Sequence, residues 1–191
     1  MKVLSAAFAK ENKDFIVSEM KAGKIFIYPT DTVYGIGCDS TNDTAVAKIH
    51  EIKRRENKPL LVIIPNINWI EEHCAFHDAH RKELEEKLPG PYSFIVTLQD
   101  KDAVSEGILQ GRDTLGVRIP DCYFSEFVAD FGVPFVSTSV NFSGESPATA
   151  IDTISEDILN HVDYVLEADS ELLGKPSTII DVTGEEMKEL R

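Results

Sequence analysis

The chain has 191 residues, 42% hydrophobic and 27% charged, and sets 33 Asp and Glu against 19 Lys and Arg for a formal net charge of −14. That length suits one domain able to bury roughly 70% of its unfolded surface, and the acidity opposes tight, extended binding to nucleic acid. No apolar run approaches the ~20 residues that cross a bilayer.

At the start, Lys10, Glu11, Lys13 and Asp14 interrupt any secretory core. Three cysteines (Cys38, Cys74 and Cys122) without a CxxC pattern imply no disulfide framework. A soluble cytoplasmic domain is expected. A helical pattern over about 7–22 leads to a strand at "KIFIYPT" (24–30). Next, "DTAVAKIHEIKR" places Ala45, Val46, Ile49 and Ile52 on one helical face, with Asn42 available as its cap. A strand at "LLVIIP" (60–65) and a helix over about 78–88 follow. "YSFIVTL" (92–98) and "LGVRIPD" (115–121) are strands, with a helix at about 123–131 after them. The remaining pieces are strands at "VPFVST" (133–138), "DYVLEA" (163–168) and "STIIDVT" (177–183), and a helix at about 148–161. Nearly continuous apolar strands imply helices over the sheet, so the expected fold is α/β with a central mixed sheet.

Four segments bear on chemistry. "EIKRRENKPL" (51–60) concentrates Lys53, Arg54, Arg55 and Lys58 in an otherwise acidic chain. Cations in a last helical turn suit the helix dipole, but Arg55 and Lys58 continue into the connection beyond it. Exposed in a groove, such a cluster would hold a polyanionic small ligand, Arg by bidentate forks and Lys as a point charge. In "YGIGCDS", Gly35 and Gly37 follow a strand, but Ser40 breaks GxGxxG and no Walker motif exists, so a simple turn competes with a site. Pro29, Thr30, Asp31, Thr32 and Tyr34 stand beside them at the carboxyl end of a strand, where open sheets bind ligands.

The third segment is "VPFVSTSVNFSGESPAT", where Ser137, Thr138, Ser139, Asn141 and Ser143 serve equally as turn chemistry or as neutral donors for phosphate or ribose. The fourth, "HCAFHDAH", would stripe His73, His77 and His80 along one continuous helix. Asp78 reads instead as a cap that breaks that helix, and no metal is expected. The absence of GxSxG gives no support for a covalent nucleophile.

Together these stretches resemble the YrdC/Sua5 family of threonylcarbamoyl-AMP synthases. The resemblance runs in order through "YPTDTVYGIGCD" (28–39), "IKRRENKPL" (52–60), "LPGPYSFIV" (88–96), "TLGVRIPD" (114–121), "STSVNFSGESPAT" (137–149) and "KPSTIIDVT" (175–183). It implies one YrdC-like domain over 1–191, a twisted open mixed sheet with flanking helices and a basic concave groove. It also implies a nucleotidyltransferase that converts L-threonine, bicarbonate and ATP, with Mg²⁺ on the phosphates, into threonylcarbamoyl-adenylate and pyrophosphate. A separate transferase machinery would then modify adenosine 37 of tRNA.

Carried over by position, Lys53 and Arg55 are catalytic, and Thr32, Arg118, Ser137 and Ser177 bind threonine. Arg55, Lys58, Thr114, Ser139, Asn141 and Arg191 bind ATP. The connection "ENKPL" is about one residue shorter than the commoner family form, which leaves the role of Lys58 less secure than that of Arg55. The chain is expected to be the short form of the family. The alternatives are a YciO-like paralogue, which the intact Ser139 and Asn141 pair opposes, and a double-stranded RNA-binding module, which the net charge opposes. A hydrogenase-maturation carbamoyl-transfer domain lacks its accompanying zinc fingers and acylphosphatase segment here.

Overall fold

The computed structural model describes residues 1–54, 58–142 and 144–191, so Arg55 and Ser143 lie outside the described residues. In chain order the elements are β1 (Lys2–Leu4), α1 (Ala6–Glu11), α2 (Lys13–Lys21), β2 (Phe26–Tyr28), β3 (Gly35–Gly37), α3 (Asp43–Lys53) and β4 (Leu61–Ile63). There follow α4 (Asn68–His73), β5 (Cys74–Ala75), α5 (Arg81–Lys87), β6 (Tyr92–Leu98), α6 (Glu106–Leu109), β7 (Thr114–Arg118) and α7 (Tyr123–Phe131). The chain closes with β8 (Phe135–Ser139), α8 (Glu156–Leu159), β9 (Tyr164–Leu166), β10 (Thr178–Asp181) and β11 (Lys188–Glu189). Among the described residues the strands form one mixed sheet in the order β1-β9-β2-β3-β8-β4-β7-β6-β10-β11, with β5 against the end of β6.

Both faces of this sheet are covered, which explains why its strands read as unbroken apolar runs. Side chains alternate along β2: Phe26 and Tyr28 join one core with Ile16, Met20, Phe124 and Phe127, from α2 and α7. Ile27 points the other way, into a core with Ile49, Leu84 and Ile108 from α3, α5 and α6. Each large side chain buried in this way contributes about 1.5–3 kcal/mol. Tyr28 lies flat on Phe124, ring centroids 3.9 Å apart, and its buried hydroxyl donates to the Val136 carbonyl at 2.8 Å.

Gly35 and Gly37 form β3, a strand where the sequence allowed a turn. A Cβ on Gly37 would lie 1.8 Å from the Val136 carbonyl oxygen, and one on Gly35 would lie 2.8 Å from the Tyr28 ring. Both glycines are therefore packing requirements of the β2–β3–β8 layer.

Three helices differ from expectation. The 7–22 helix breaks at Asn12, whose side-chain amide donates to the Phe8 carbonyl and closes α1 before α2 begins. The 148–161 helix shrinks to a 3₁₀ turn (Ile151–Thr153) and α8, because Ile154 is extended and Ser155 caps a new start by accepting from the Asp157 amide. The 78–88 helix opens as a 3₁₀ turn (Asp78–His80) capped by His77, one residue before the expected Asp78. Asn42 does cap α3, accepting from the Ala45 amide at 3.0 Å. Among the described residues no helix is long and apolar enough to cross a membrane.

Candidate active site

One cavity of about 180 Å³ opens where the β2–β3 loop, the end of β7, the second half of β8, the start of β6 and the segment before β10 converge. It gathers Thr32, Arg118, Ser137, Ser139, Ser177 and Arg191, six of the residues the family resemblance marks, together with Thr30 and Tyr34 from the same strand end and with Ser93.

Arg118, the last residue of β7, is 5% exposed. Its Nη2 pairs with Asp31 Oδ1 at 2.5 Å and its Nη1 donates to Thr32 Oγ1 at 3.3 Å. The second Asp31 oxygen accepts the Asp121 amide at 3.2 Å, so the carboxylate is spent on the scaffold. Arg118 Nε is buried with no acceptor among the described residues. A buried guanidinium N–H left unmade costs about 1–3 kcal/mol, a cost that an acceptor oxygen would relieve.

Thr32 is polarised by the same network. Thr30 Oγ1 donates to the Val33 carbonyl at 2.7 Å, so the 2.8 Å contact between the two threonine hydroxyls carries the hydrogen of Thr32. Having donated inward and accepted from Arg118, Thr32 Oγ1 presents a remaining lone pair to the cavity. On the opposite wall, Ser93 and Ser177 form a buried hydroxyl pair at 2.8 Å. Ser93 escaped the sequence reading; its only signal is a small hydroxyl within the apolar run of β6.

Arg191 is held rather than frayed. Its backbone pairs with Ile179, beside the antiparallel β10–β11 ladder, and Nε and Nη2 donate to the Ser177 carbonyl at 3.4 and 3.2 Å. Desolvation, then the nearby charge of Arg118, lowers its pKa from the ordinary arginine value. Two guanidiniums thus line one cavity, that of Arg118 paired with Asp31 and that of Arg191 held against Ser177.

Within the basic cluster, Lys53 is not the exposed groove charge expected. Lys53 is 2% exposed. Its ammonium donates to the Ser139 carbonyl and, at 3.1 Å, to Asn141 Oδ1. Asn141 Oδ1 also accepts from Ser139 Oγ at 2.6 Å, and its amide donates to the Phe142 and Glu145 carbonyls, both at 2.8 Å. Arg54, in a left-handed conformation (φ 49°) at the end of α3, pairs with Asp157 at 2.5 Å and lies over the Phe142 ring at 4.3 Å. Two consecutive cations therefore clamp the loop that follows β8. The helix supplies them because its C-terminus points at that loop.

Lys58 is exposed in the connection to β4, and neither it, Lys53, Asn141 nor Thr114 lines the cavity. Thr114 lies on the same face of β7 as Arg118, four residues and roughly 13 Å along the strand. Gly116 stands between them, and Leu61 occupies the space a side chain there would need.

Other reactive groups are occupied elsewhere. Burial pushes the Cys74 thiol to about 12 and raises Cys38 and Cys122 as well, so none is a ready thiolate. His73 contacts Asp100 at 3.0 Å, His77 caps its own turn and His80 bonds the Gly184 carbonyl, so the three rings serve three different partners.

The chain is similar to known proteins in sequence and in fold. The "Putative threonylcarbamoyl-AMP synthase" of Methanocaldococcus jannaschii is 36% identical over 184 residues, covering 95% of this chain and 86% of that protein. P. abyssi Sua5 complexed with L-threonine superimposes with a TM-score of 0.86 at 24% identity, over 99% of this chain and 56% of that one. E. coli YciO matches with a TM-score of 0.86 at 21% identity, over 100% of this chain and 94% of that one. At those identities the two structures establish the fold. The Sua5, YciO and YrdC family model, described as "Telomere recombination", matches residues 18–191, and the chain belongs to that family.

Proposed function

We propose that this chain is a threonylcarbamoyl-AMP synthase, forming threonylcarbamoyl-adenylate and pyrophosphate from L-threonine, bicarbonate and ATP. The observation that carries the reading is the buried, unpartnered Nε of Arg118, set beside a second guanidinium in a small hydroxyl-lined cavity.

Arg118 Nε receives the threonine carboxylate. The free lone pair of Thr32 accepts from the amine and orients it, while Ser137 and Ser177 complete the threonine end. ATP lies toward Ser139, Arg191 and Thr114, its triphosphate met by Arg55 and Lys58 from the cation cluster. The amine attacks carbon dioxide derived from bicarbonate and loses a proton. A carbamate oxygen then attacks the α-phosphorus, and the α–β bridging oxygen leaves with pyrophosphate. No protein nucleophile is required, so positioning and charge stabilisation supply the catalysis.

ATP enters as its magnesium complex. Asp31, paired with Arg118 and accepting the Asp121 amide, is not free to hold the metal, which would be carried by the phosphates and would offset charge developing on pyrophosphate. Lys53 acts by holding the Ser139–Asn141 loop. The adenylate product passes to a transferase acting on tRNA, a reaction that belongs in the cytoplasm.

Pyrophosphate release from ATP tests the reading. Release is expected only with threonine and bicarbonate together; equal release with either omitted, or with serine in place of threonine, would sink it. A smaller effect is expected at the base of the pocket. For Ser177 to donate to the substrate, it must accept from Ser93. Ser93→Ala should raise the KM for threonine about fivefold, the scale of one neutral hydrogen bond, with the KM for ATP unmoved. Initial rates at varied threonine check this, and equal shifts in both constants would assign Ser93 to packing alone.

A further inference from the structure

We propose that His80 is a positioning residue for Arg191, pinning through Gly184 the hairpin that carries the arginine to the cavity. The inference rests on the reading of Arg191 as a nucleotide contact.

His80 is 4% exposed, and its Nε2 lies 2.9 Å from the Gly184 carbonyl. A carbonyl oxygen only accepts, so Nε2 carries the hydrogen and donates it. Gly184 lies in the turn between β10 and β11. The returning arm of that turn is weakly held: β11 pairs through Asp181–Lys188 and Ile180–Glu189, and residues 183–191 are all exposed. Among the described residues its other hydrogen bonds run between Ile179 and residues 190–191, from the arginine to the Ser177 carbonyl, and from Thr183 to Asp181 at the turn.

This arm also has a reason to leave. It brings a second guanidinium to the cavity lined by Arg118, which is paired with Asp31, and the lowered pKa of Arg191 reflects desolvation first and the charge of Arg118 second. A short exposed strand presenting a charge against a like charge frays unless its far end is anchored. His80 supplies that anchor from the turn preceding α5, an element outside the cavity. A histidine from a segment where the sequence suggested no metal site is thereby given a role.

The test combines amide hydrogen exchange with calorimetric titration of magnesium ATP and of threonine. In His80→Ala, the Ile179 and Leu190 amides should exchange about fivefold faster, as for loss of one hydrogen bond. The dissociation constant for ATP should rise about three- to fivefold, with threonine binding unchanged. In His80→Gln, whose side-chain amide can donate from a position near Nε2, both effects should be largely reversed. Arg191→Ala is the comparator. If it weakens ATP binding while His80→Ala alters neither exchange nor ATP affinity, the positioning role is overturned and the nucleotide reading survives. If His80→Gln behaves like His80→Ala, the ring serves as packing and the proposal fails. If Arg191→Ala leaves ATP binding unchanged, the nucleotide role of Arg191 is wrong and this inference falls with it.

Discussion

Arg118→Lys should raise the dissociation constant for threonine about thirtyfold, corresponding to a lost charge-assisted hydrogen bond worth ~2 kcal/mol. The constant for ATP should change little. The wild-type guanidinium does three things at once: it pairs with Asp31, donates to Thr32 and leaves Nε for a carboxylate. An ammonium on a flexible stem can keep one or two of these contacts but not the fork that makes all three together. Lysine is the informative substitution because alanine would strand Asp31, whose side chain is 10% exposed. Removing one partner of such a buried pair costs about 3–5 kcal/mol, which would confuse binding with folding. Calorimetric titration of each substrate decides the point. A shift confined to ATP would reverse the two ends of the pocket, and no shift in either would remove Arg118 from the site.

Lys53→Met should lower both stability and turnover. Methionine keeps the buried apolar stem but loses the donors to Ser139 and Asn141, at a cost of about 2 kcal/mol. For a chain of this length that lowers Tm by roughly 4–8 °C. Releasing the loop after β8 displaces Ser139 at the cavity wall, and a misplacement of about 1 Å at a catalytic site can cost about a hundredfold in rate. Differential scanning calorimetry and pyrophosphate release measure the two effects. Lost activity at an unchanged Tm would restore the exposed, phosphate-contacting role that the sequence suggested. This outcome also separates Lys53 from its neighbour Arg54, whose ion pair with Asp157 is solvent-exposed and worth little to stability.

Much of the architecture could be read without coordinates because it rests on local properties. β-branched and aromatic runs marked the long strands, periodic apolar positions marked α3 and α7, and Asn42 marked where α3 begins. The site was legible in the same way where its residues lie in short contiguous stretches: Thr32, Arg118, Ser137 and Ser177 do meet around one cavity. Composition also set a lasting limit, since a net charge of −14 confines any polyanion site to a small local pocket.

What the sequence could not disclose depends on pairs far apart in the chain. Lys53 reads as an exposed helix-end cation until Ser139, 86 positions later, is placed against it. Ser93 reads as a blemish in an apolar strand until Ser177, 84 positions later, meets its hydroxyl. Gly35 and Gly37 have poor strand propensity, and only the backbone of β8 and the ring of Tyr28 explain why nothing larger fits. His80 had no role legible among its neighbouring histidines, because its partner is a carbonyl 104 positions away. In each case residue type limits what a side chain can donate, accept or bury. Which of those options is used depends on the group that sheet topology brings within about 3 Å, where hydrogen bonds form.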